Sequence, residues 1–279
     1  MSVIIGIDVG GSTTKIVGYT DKAKPLGMLK VEAADPQTSA YGALGKFINE
    51  HNLSLSDVQQ IVLTGVGAAQ FKKKVYNVPT ATVDEFEAIG LGGLALSHKK
   101  EGLVVSMGTG TAFVRAGKKG IFHIGGSGVG GGTALGLSGK LCGVKSFSSV
   151  VSLAEKGHLG KVDLNIGDIS SKEIANLAKD ITASNFGKME DGLTPADLAA
   201  GVLNLVFQTV GMMAVFACRN EAMKDVILTG TLSQVPSAKK TFEMLHRMHG
   251  VNFIIPKNAI YATATGAALS YLHKKGKQK

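Results

Sequence analysis

Tryptophan is absent from this 279-residue sequence, and aromatic residues make up only 6% of it. Cysteine is scarce as well, since only Cys142 and Cys218 occur. Two cysteines cannot form a disulfide framework, and these two lack the spacing of metal ligands. The chain enters a strand pattern at once, without a charged leader, an apolar stretch and a cleavage site. We therefore expect a cytoplasmic protein with free thiols, and neither a disulfide-rich secreted domain nor a cysteine-ligated metal site.

The net charge of +9 raises the question of nucleic-acid binding. The basic residues do not gather on one helix face, however, and a share of them lies in the tail from His273 to Lys279. No basic motif rich in aromatic residues accompanies them. We predict no nucleic-acid partner, because an anionic small-molecule substrate needs only a few local cations.

One uncharged segment, Leu198–Cys218, is about long enough to span a bilayer. It contains Asn204 and Gln208, and the sequence Thr194-Pro195-Ala196-Asp197 before it is a typical capped start of a soluble helix. The segment therefore predicts a buried helix at a lobe or subunit interface, and no membrane association.

Glycine is abundant, with 37 residues gathered in short runs, and two of these runs follow the same pattern. The β-branched stretch Ser2–Val9 leads into Gly10–Ser12, and Lys15–Tyr19 resumes the strand pattern. Residues 103–107 lead in the same way into Gly108–Thr111, with a return strand after them. The repetition predicts an α/β fold of two similar lobes with a cleft between them.

We divide the chain into an N-terminal lobe, 1–102, and a C-terminal lobe, 103–279. Two further strands are predicted over 60–64 and 225–229. Hydrophobic periodicity predicts helices over 40–50, 83–98, 133–141, 151–156, 171–182, 197–218, 237–249 and 261–273.

The first glycine run combines the groups that a phosphate site needs, namely backbone amides, hydroxyls, a cation and a carboxylate. Its residues are Asp8, Val9, Gly10, Gly11, Ser12, Thr13, Thr14 and Lys15. An ordinary glycine hairpin would need only Gly10 and Gly11, and it would leave Asp8 as a costly carboxylate at the end of an apolar strand. A hydrated Mg²⁺ at Asp8 would account for that carboxylate.

Two later glycine runs add to this pattern. Gly108-Thr109-Gly110-Thr111 is common in ordinary turns, but its strand–loop–strand setting predicts a second phosphate clamp. Gly130-Gly131-Gly132-Thr133 opens a helix and is a third candidate anion site, although it is neither a P-loop nor a dinucleotide fingerprint. Three such loops are compatible with phosphoryl transfer, which depends on positioning and charge neutralisation.

A phosphoryl transfer to a hydroxyl also requires a general base near the cleft. Asp84, Glu85 and Glu87 lie together at a predicted helix start, where acids also favour the helix dipole without any catalytic role. The pattern alone leaves both interpretations of Glu85 open.

The sequence resembles the sugar kinase, chaperone ATPase and actin superfamily and, within it, the type II pantothenate kinases. The resemblance covers nearly the whole chain in order. It is carried by Gly6-Ile7-Asp8-Val9-Gly10-Gly11-Ser12 with Lys15, Glu85-Phe86-Glu87-Ala88, Gly108-Thr109-Gly110-Thr111, Gly125-Gly126 with Gly130-Gly131-Gly132, Ala183-Ser184-Asn185-Phe186-Gly187 and Gly266-Ala267.

This resemblance implies two ribonuclease-H-like lobes of the actin-like ATPase fold, ATP between them, and a homodimer built on long helices. It implies that Asp8 holds Mg²⁺ through water, that Lys15 and residues 10–13 bind phosphates, and that Glu85 is the catalytic base. The further nucleotide-binding residues that it implies are Thr109, Gly110, Thr111, Gly131, Gly132, Thr133, Ala134, Leu135, Phe147 and Thr231.

Two substrate positions depart from the family pattern. His123 stands where the family usually has an arginine that contacts substrate and the transferring phosphate, and Ala112 stands where it has a serine that touches pantothenate. Histidine is charged only part of the time near neutral pH and lacks the guanidinium fork.

Three functions are therefore compared. The first is transfer of the γ-phosphate of ATP to the primary hydroxyl of pantothenate or pantetheine, at the entry to coenzyme A synthesis. The second is a kinase for another hydroxyl-bearing metabolite such as an amino sugar. The third is a nucleotide- or acyl-CoA-binding relative without turnover.

Overall fold

The structure is a computed structural model that describes residues 2–32, 35–71, 74–170 and 178–276. The predicted helix over 171–182 falls largely on residues 171–177, which lie outside the described residues, as do residues 277–279 of the basic tail. Thr182 belongs to a short strand, so the predicted helix is wrong at that residue.

The described residues form two larger sheets, a two-stranded ribbon and the helices around them. The strands are β1 (Val3–Val9), β2 (Thr13–Thr20), β3 (Pro25–Glu32), β4 (Val58–Thr64), β5 (Lys74–Val75), β6 (Val78–Thr82), β7 (Gly102–Met107), β8 (Thr111–Gly117), β9 (Gly120–Ser127), β10 (Leu164–Asn165), β11 (Thr182–Ser184), β12 (Asp225–Thr229) and β13 (Asn252–Ile254). The helices are α1 (Pro36–Glu50), α2 (Glu85–Ser97), α3 (Gly131–Cys142), α4 (Phe147–Ala154), α5 (Ile166–Ile169), α6 (Pro195–Asn220), α7 (Pro236–His249) and α8 (Ala262–Gly276).

The first sheet has the strand order β3-β2-β1-β4-β6-β5, with β1 antiparallel to β2 and parallel to β4. Strand β1 is buried on both faces, which explains its continuous apolar sequence. Successive side chains alternate between faces, so that Val3 and Ile5 pack with α1 and Ile4 packs with α8. Asp8 follows Ile4 by four residues and therefore lies on the face of α8.

The second sheet has the order β13-β12-β7-β8-β9, with β7 antiparallel to β8 and parallel to β12. Strand β7 therefore has one antiparallel and one parallel neighbour, as β1 has in the first sheet. Leu103 and Val105 face α6, whereas Val104 faces α2. The predicted α/β fold with two ribonuclease-H-like lobes is confirmed.

Helices α2 and α8 cross where glycines allow their backbones to touch. A Cβ atom on Gly266 would collide with the carbonyl oxygen of Ala88, and one on Gly92 with that of Ala262. Although α8 comes last in the sequence, it packs on the first sheet, where Gly6 leaves room for it. The boundary at residues 102 and 103 stays a prediction; β7 begins at Gly102, and α8 returns to the first lobe.

Helix α6 confirms the predicted helix over 197–218, and it begins as expected at a Thr194–Asp197 capping box. By length and composition it is the one described helix that could cross a membrane. Of its most apolar window, 61% is buried inside the chain, as in the core helix of a globular lobe. Cys218 lies on this buried face, and burial raises the pKa of its thiol to about 11.

Candidate active site

Asp8 forms a nearly buried ion pair with Lys15. The two residues are opposite each other in β1 and β2, each is 8% exposed, and Lys15 Nζ lies 3.3 Å from Asp8 Oδ2. A lone carboxylate at this position would be costly, so the lysine supplies part of the positive charge that the sequence had led us to expect from a metal.

The loop between β1 and β2 is open at its tip. The N–H of Gly10 donates to the carbonyl of Thr13 over 3.1 Å, which closes the turn, while Gly11 and Ser12 are exposed. A Cβ atom on Gly11 would meet nothing within 4 Å. Val9 and Thr14 are buried and face each other across β1 and β2, so the exposed tip consists of Gly11 and Ser12.

Glu85 is the first residue of α2 and lies within electrostatic range of this pair. Asp84 caps the helix, because its Oδ1 accepts the N–H groups of Phe86 and Glu87 at 2.9 and 3.0 Å. Burial raises the pKa of the Glu85 carboxyl, the negative charges of Asp8 and Asp84 raise it further, and Lys15 opposes them. The acidic cluster thus contains one capping residue and one half-buried carboxylate with the raised pKa of a candidate base.

In the second lobe, the loop at 108–111 packs directly against the start of α3. The N–H groups of Gly131 and Gly132 donate to the carbonyls of Gly108 and Thr109, both over 2.8 Å. These two amides are therefore engaged within the chain and are not free for an anion, in contrast to what the glycine run had suggested. A Cβ atom on Gly130 would lie 2.6 Å from the Thr109 carbonyl oxygen, so close backbone packing accounts for glycine there.

The neighbouring polar groups hold this packing. Thr111 donates its hydroxyl to the carbonyl of Val129 over 2.8 Å, and Thr133 donates its hydroxyl to that of Gly128 over 2.9 Å. Ala134 is wholly buried and Leu135 packs at the edge of the second-lobe core. Gly110 remains at the tip of this loop.

Thr231 lies beside this region, and Phe147 packs on the core of the same lobe. Thr231 opens a short 3₁₀ turn after β12, and the next residue, Leu232, lies beside Gly131 at the start of α3. Phe147 is the first residue of α4, half-buried against the second-lobe core. The structure therefore groups most of the predicted nucleotide-binding residues of this lobe at one end of its sheet.

The two predicted substrate positions lie beside the start of α2. Ala112 packs in the small cluster that includes Phe86, and the ring of His123 stacks on that of Phe86 with centroids 3.8 Å apart. A cavity of about 660 Å³ opens here. It is lined by Asp84, Phe86, Glu87, Gly117, Gly120, Ile121, Phe122 and His123.

The sequence analysis missed the turn after β4. Gly65 has φ of +86°, and a Cβ atom there would lie 2.7 Å from Asp8 Oδ1, so only glycine fits beside the carboxylate. A signal for it was present. Leu63-Thr64-Gly65 and Leu228-Thr229-Gly230 are the same tripeptide, and each ends a strand that runs parallel to the first strand of its lobe.

Among the described residues, no group of three or more histidine, cysteine or acidic side chains is arranged to hold a metal ion directly. Mg²⁺ commonly binds through one or two carboxylates and keeps several waters. Asp8 beside an open, glycine-lined loop fits an ion held through water.

Comparison with known proteins agrees with this architecture. The Fumble family matches residues 101–253, more than half of the chain. A type II pantothenate kinase of Bacillus thuringiensis subsp. konkukian is 30% identical over 241 residues, with 83% of both chains covered. The type II pantothenate kinase of Oceanobacillus iheyensis is 29% identical, with 95% of this chain and 98% of the relative covered.

Among solved structures, the activator of 2-hydroxyisocaproyl-CoA dehydratase from Clostridium difficile with bound ADPNP superposes with a TM-score of 0.70. The alignment covers 99% of this chain and 98% of the activator at 15% identity, which supports a shared fold.

Proposed function

The chain belongs to the Fumble family, and we propose that it transfers the γ-phosphate of ATP to the primary hydroxyl of pantothenate. The relatives named type II pantothenate kinases match most of its length. The observation that carries the proposal is the Asp8–Lys15 ion pair beside the glycine loop, with the Glu85 carboxyl within electrostatic range of both side chains. A cation, a carboxylate and a candidate base support phosphoryl transfer to a hydroxyl.

In this proposal Lys15 and the loop at residues 10–13 bind the phosphates of ATP. Gly11 and Ser12 supply the exposed tip of this loop, while the Gly10 N–H closes the turn by donating to the Thr13 carbonyl. Glu85 takes the proton of the acceptor hydroxyl as that oxygen forms a bond to the γ-phosphorus. The bond from the γ-phosphorus to the β,γ-bridging oxygen breaks, and its electron pair leaves with ADP. The raised pKa of Glu85 makes it a stronger base than an ordinary carboxylate.

Asp8 would hold a hydrated Mg²⁺, which neutralises charge on the triphosphate when it is bound. The protein itself positions the side chains that hold this ion. The two strand ends keep Asp8 and Lys15 in register, and Gly65 leaves space for the Asp8 carboxylate. Binding of an anionic phosphate would draw Lys15 away from Asp8 and free the carboxylate for the waters of the ion.

The nucleotide would lie along the ends of β7, β8 and β12. Thr109, Gly110 and Thr111 lie at the loop there, with Thr133 to Leu135, Phe147 and Thr231 around it. Because the Gly131 and Gly132 amides bond to the 108–109 carbonyls, we assign these glycines the role of holding the two loops together.

The acceptor would lie between Glu85 and the wall formed by Ala112 and His123. Pantetheine is included as an acceptor because it has the same primary hydroxyl. An amino sugar is the second candidate, and the observation that favours it is the pair of carboxylates, Asp84 and Glu87, that lines the cavity beside His123.

A substrate panel with a coupled assay for ADP release tests the proposal. Pantothenate, pantetheine, N-acetylmannosamine and glucosamine are compared at one saturating concentration of Mg·ATP. Turnover of pantothenate or pantetheine supports the proposed reaction. Turnover of a sugar alone supports the second candidate, and ATP binding without turnover on the panel points to a non-catalytic relative.

We also propose that the protein is a cytoplasmic homodimer, with the outer face of α6 in the interface. Phe216 on this helix is 59% exposed, and Met212 and Met213 next to it are only half-buried. Phe216→Asp should convert a dimer into a monomer in light scattering. Leu55→Asp, which places a charge at an exposed leucine of the first lobe, is the matched control and should leave the dimer intact.

A further inference from the structure

In the part of the chain that the structure describes, the hydroxyl of Thr64 makes no hydrogen bond that would explain its presence in the interior. Its side chain is wholly buried, and its Oγ1 has no hydrogen-bond partner among the described residues. Leaving a buried hydroxyl without a partner destabilises the fold, and most buried hydroxyls in proteins are therefore paired.

The position of Thr64 connects it with Asp8. The two residues are paired in register between the parallel strands β4 and β1, so their side chains lie on the same face of the sheet. Lys15 lies on the other side of Asp8, in register with it on β2. Asp8 thus stands between an ammonium that it contacts and a hydroxyl that it does not contact.

The second lobe contains a natural comparison. Thr229 ends β12 as Thr64 ends β4, and the glycine after each has nearly the same backbone angles, φ 86° and ψ 168° at Gly65 and φ 84° and ψ 174° at Gly230. Thr229 donates its hydroxyl to the carbonyl of Val105 over 3.4 Å. The turn itself therefore does not require an unpaired hydroxyl.

From this contrast we infer that Thr64 is a positioning residue for Asp8. When phosphate draws Lys15 away, the Thr64 hydroxyl donates to the Asp8 carboxylate and replaces the contact that Asp8 has lost. The carboxylate then stays oriented toward the waters of the bound cation. This role rests on the proposed function, because it concerns the Mg·ATP state of the same site.

The test compares Thr64→Val, Thr64→Ser and Thr229→Val in the full-length protein. Valine has nearly the shape of threonine, so Thr64→Val removes an unsatisfied polar group and should leave the unliganded melting temperature unchanged or higher. Thr229→Val removes a hydroxyl that is hydrogen-bonded and should lower the melting temperature. Titration calorimetry of ATP binding at graded Mg²⁺ concentrations supplies a readout that is independent of turnover.

We expect the Mg²⁺ concentration that half-maximally supports ATP binding to rise about tenfold in Thr64→Val, since this variant loses a hydrogen bond to a charged group. Thr64→Ser should stay near the wild-type value because it keeps the hydroxyl, and Thr229→Val should show the wild-type Mg²⁺ dependence.

Two results would overturn the inference alone: a wild-type Mg²⁺ dependence in Thr64→Val, or a loss of stability as large as that in Thr229→Val. If the wild-type protein binds ATP without any effect of Mg²⁺, the proposed cation at Asp8 fails, and the role of Thr64 fails with it.

Discussion

His123 stacks face to face on Phe86, with 3.8 Å between the ring centroids and 8° between the ring planes. Phe86 follows Glu85 directly on α2, so this contact joins the wall of the candidate acceptor pocket to the turn that carries the candidate base. A change in the side chain at position 123 should therefore act on the acceptor and should have little effect on the nucleotide.

His123→Arg should raise kcat/KM for pantothenate by about tenfold or more, because a guanidinium can stack on Phe86 and still offer a permanent charge and a fork of donors. A well-placed arginine contributes roughly 10³–10⁵-fold in phosphoryl transfer, and only part of this is expected beside Ala112. His123→Gln, a polar side chain without the charge, is the control. Equal kinetics for the two variants would show that charge at this position is irrelevant.

Glu85→Gln should lower kcat by roughly 10²–10⁴-fold with little change in ATP affinity, because general-base catalysis accounts for about that factor. Glu50→Gln, at the exposed end of α1, is the control for loss of a carboxylate elsewhere. Single-turnover rates and ATP binding separate the two effects. Wild-type turnover in Glu85→Gln would contradict the assignment of Glu85 as the base and leave the acidic residues only their role at the start of the helix.

The raised pKa of Glu85 adds a pH signature to the same variant. A base must be ionised to work, so kcat/KM should begin to fall at a higher pH than for an ordinary glutamate as the solution is acidified. The same ionisation that activates Glu85 as a base lowers the free energy of unfolding. A carboxyl whose folded-state pKa is raised destabilises the fold progressively as pH rises from its unfolded-state pKa to its folded-state pKa. Glu85→Gln should therefore be more stable than wild type at neutral pH and lose this gain in acid.

Asp8→Asn should abolish Mg²⁺-dependent turnover and also destabilise the fold. It leaves the Lys15 ammonium nearly buried without its partner, and breaking a buried pair costs about 3–5 kcal/mol. The double variant Asp8→Asn with Lys15→Met removes both charges and should recover stability without recovering turnover. Denaturant unfolding and the ADP assay measure the two properties, and full activity of Asp8→Asn at low Mg²⁺ would contradict the assignment.

Gly266→Ala should lower the free energy of unfolding by more than about 2 kcal/mol, because its methyl group would collide with the backbone of Ala88 at the α2–α8 crossing. Gly42→Ala is the matched control. It lies in α1 with open space around the added methyl group, and it should stabilise the helix by up to about 1 kcal/mol. Similar midpoints for the two variants in urea would argue against a tight crossing.

Hydrophobic periodicity predicted the helices and strands that bury one face or contain a continuous apolar run. The helix over 197–218 and the strand over 225–229 were recognisable because each combines a buried face with start or stop signals. Strand β9, which contains Gly125 and Gly126, was not predicted; its pairing with β8 imposes the extended backbone. The short strands β6 and β13 were also not predicted; β6 is extended because it pairs with β4 and β5, and β13 because it pairs with β12.

The candidate site was predictable in part for a similar reason. Asp8 and Lys15 share one short hairpin, so sequence proximity implied spatial proximity. The ion pair itself, and the approach of Thr64 and Gly65, depend on register between strands that are distant in sequence. The hydrogen bonds from the Gly131 and Gly132 amides to the loop at 108–109 could not be predicted either. A run of glycines has the same sequence whether its amides bind an anion or another loop.

The return of α8 to the first sheet affects how the chain can be made. Ile4, Val17 and Val62 pack against Ala264, Ala267 and Ala268, which are translated about 200 residues after Val62. The apolar face of the first lobe that α8 covers therefore stays uncovered in a nascent chain until α8 has been translated, and such a surface is prone to aggregation. A premature stop before Ala262 would release an incomplete N-terminal lobe, and the two halves of the sequence are not separable as independent products.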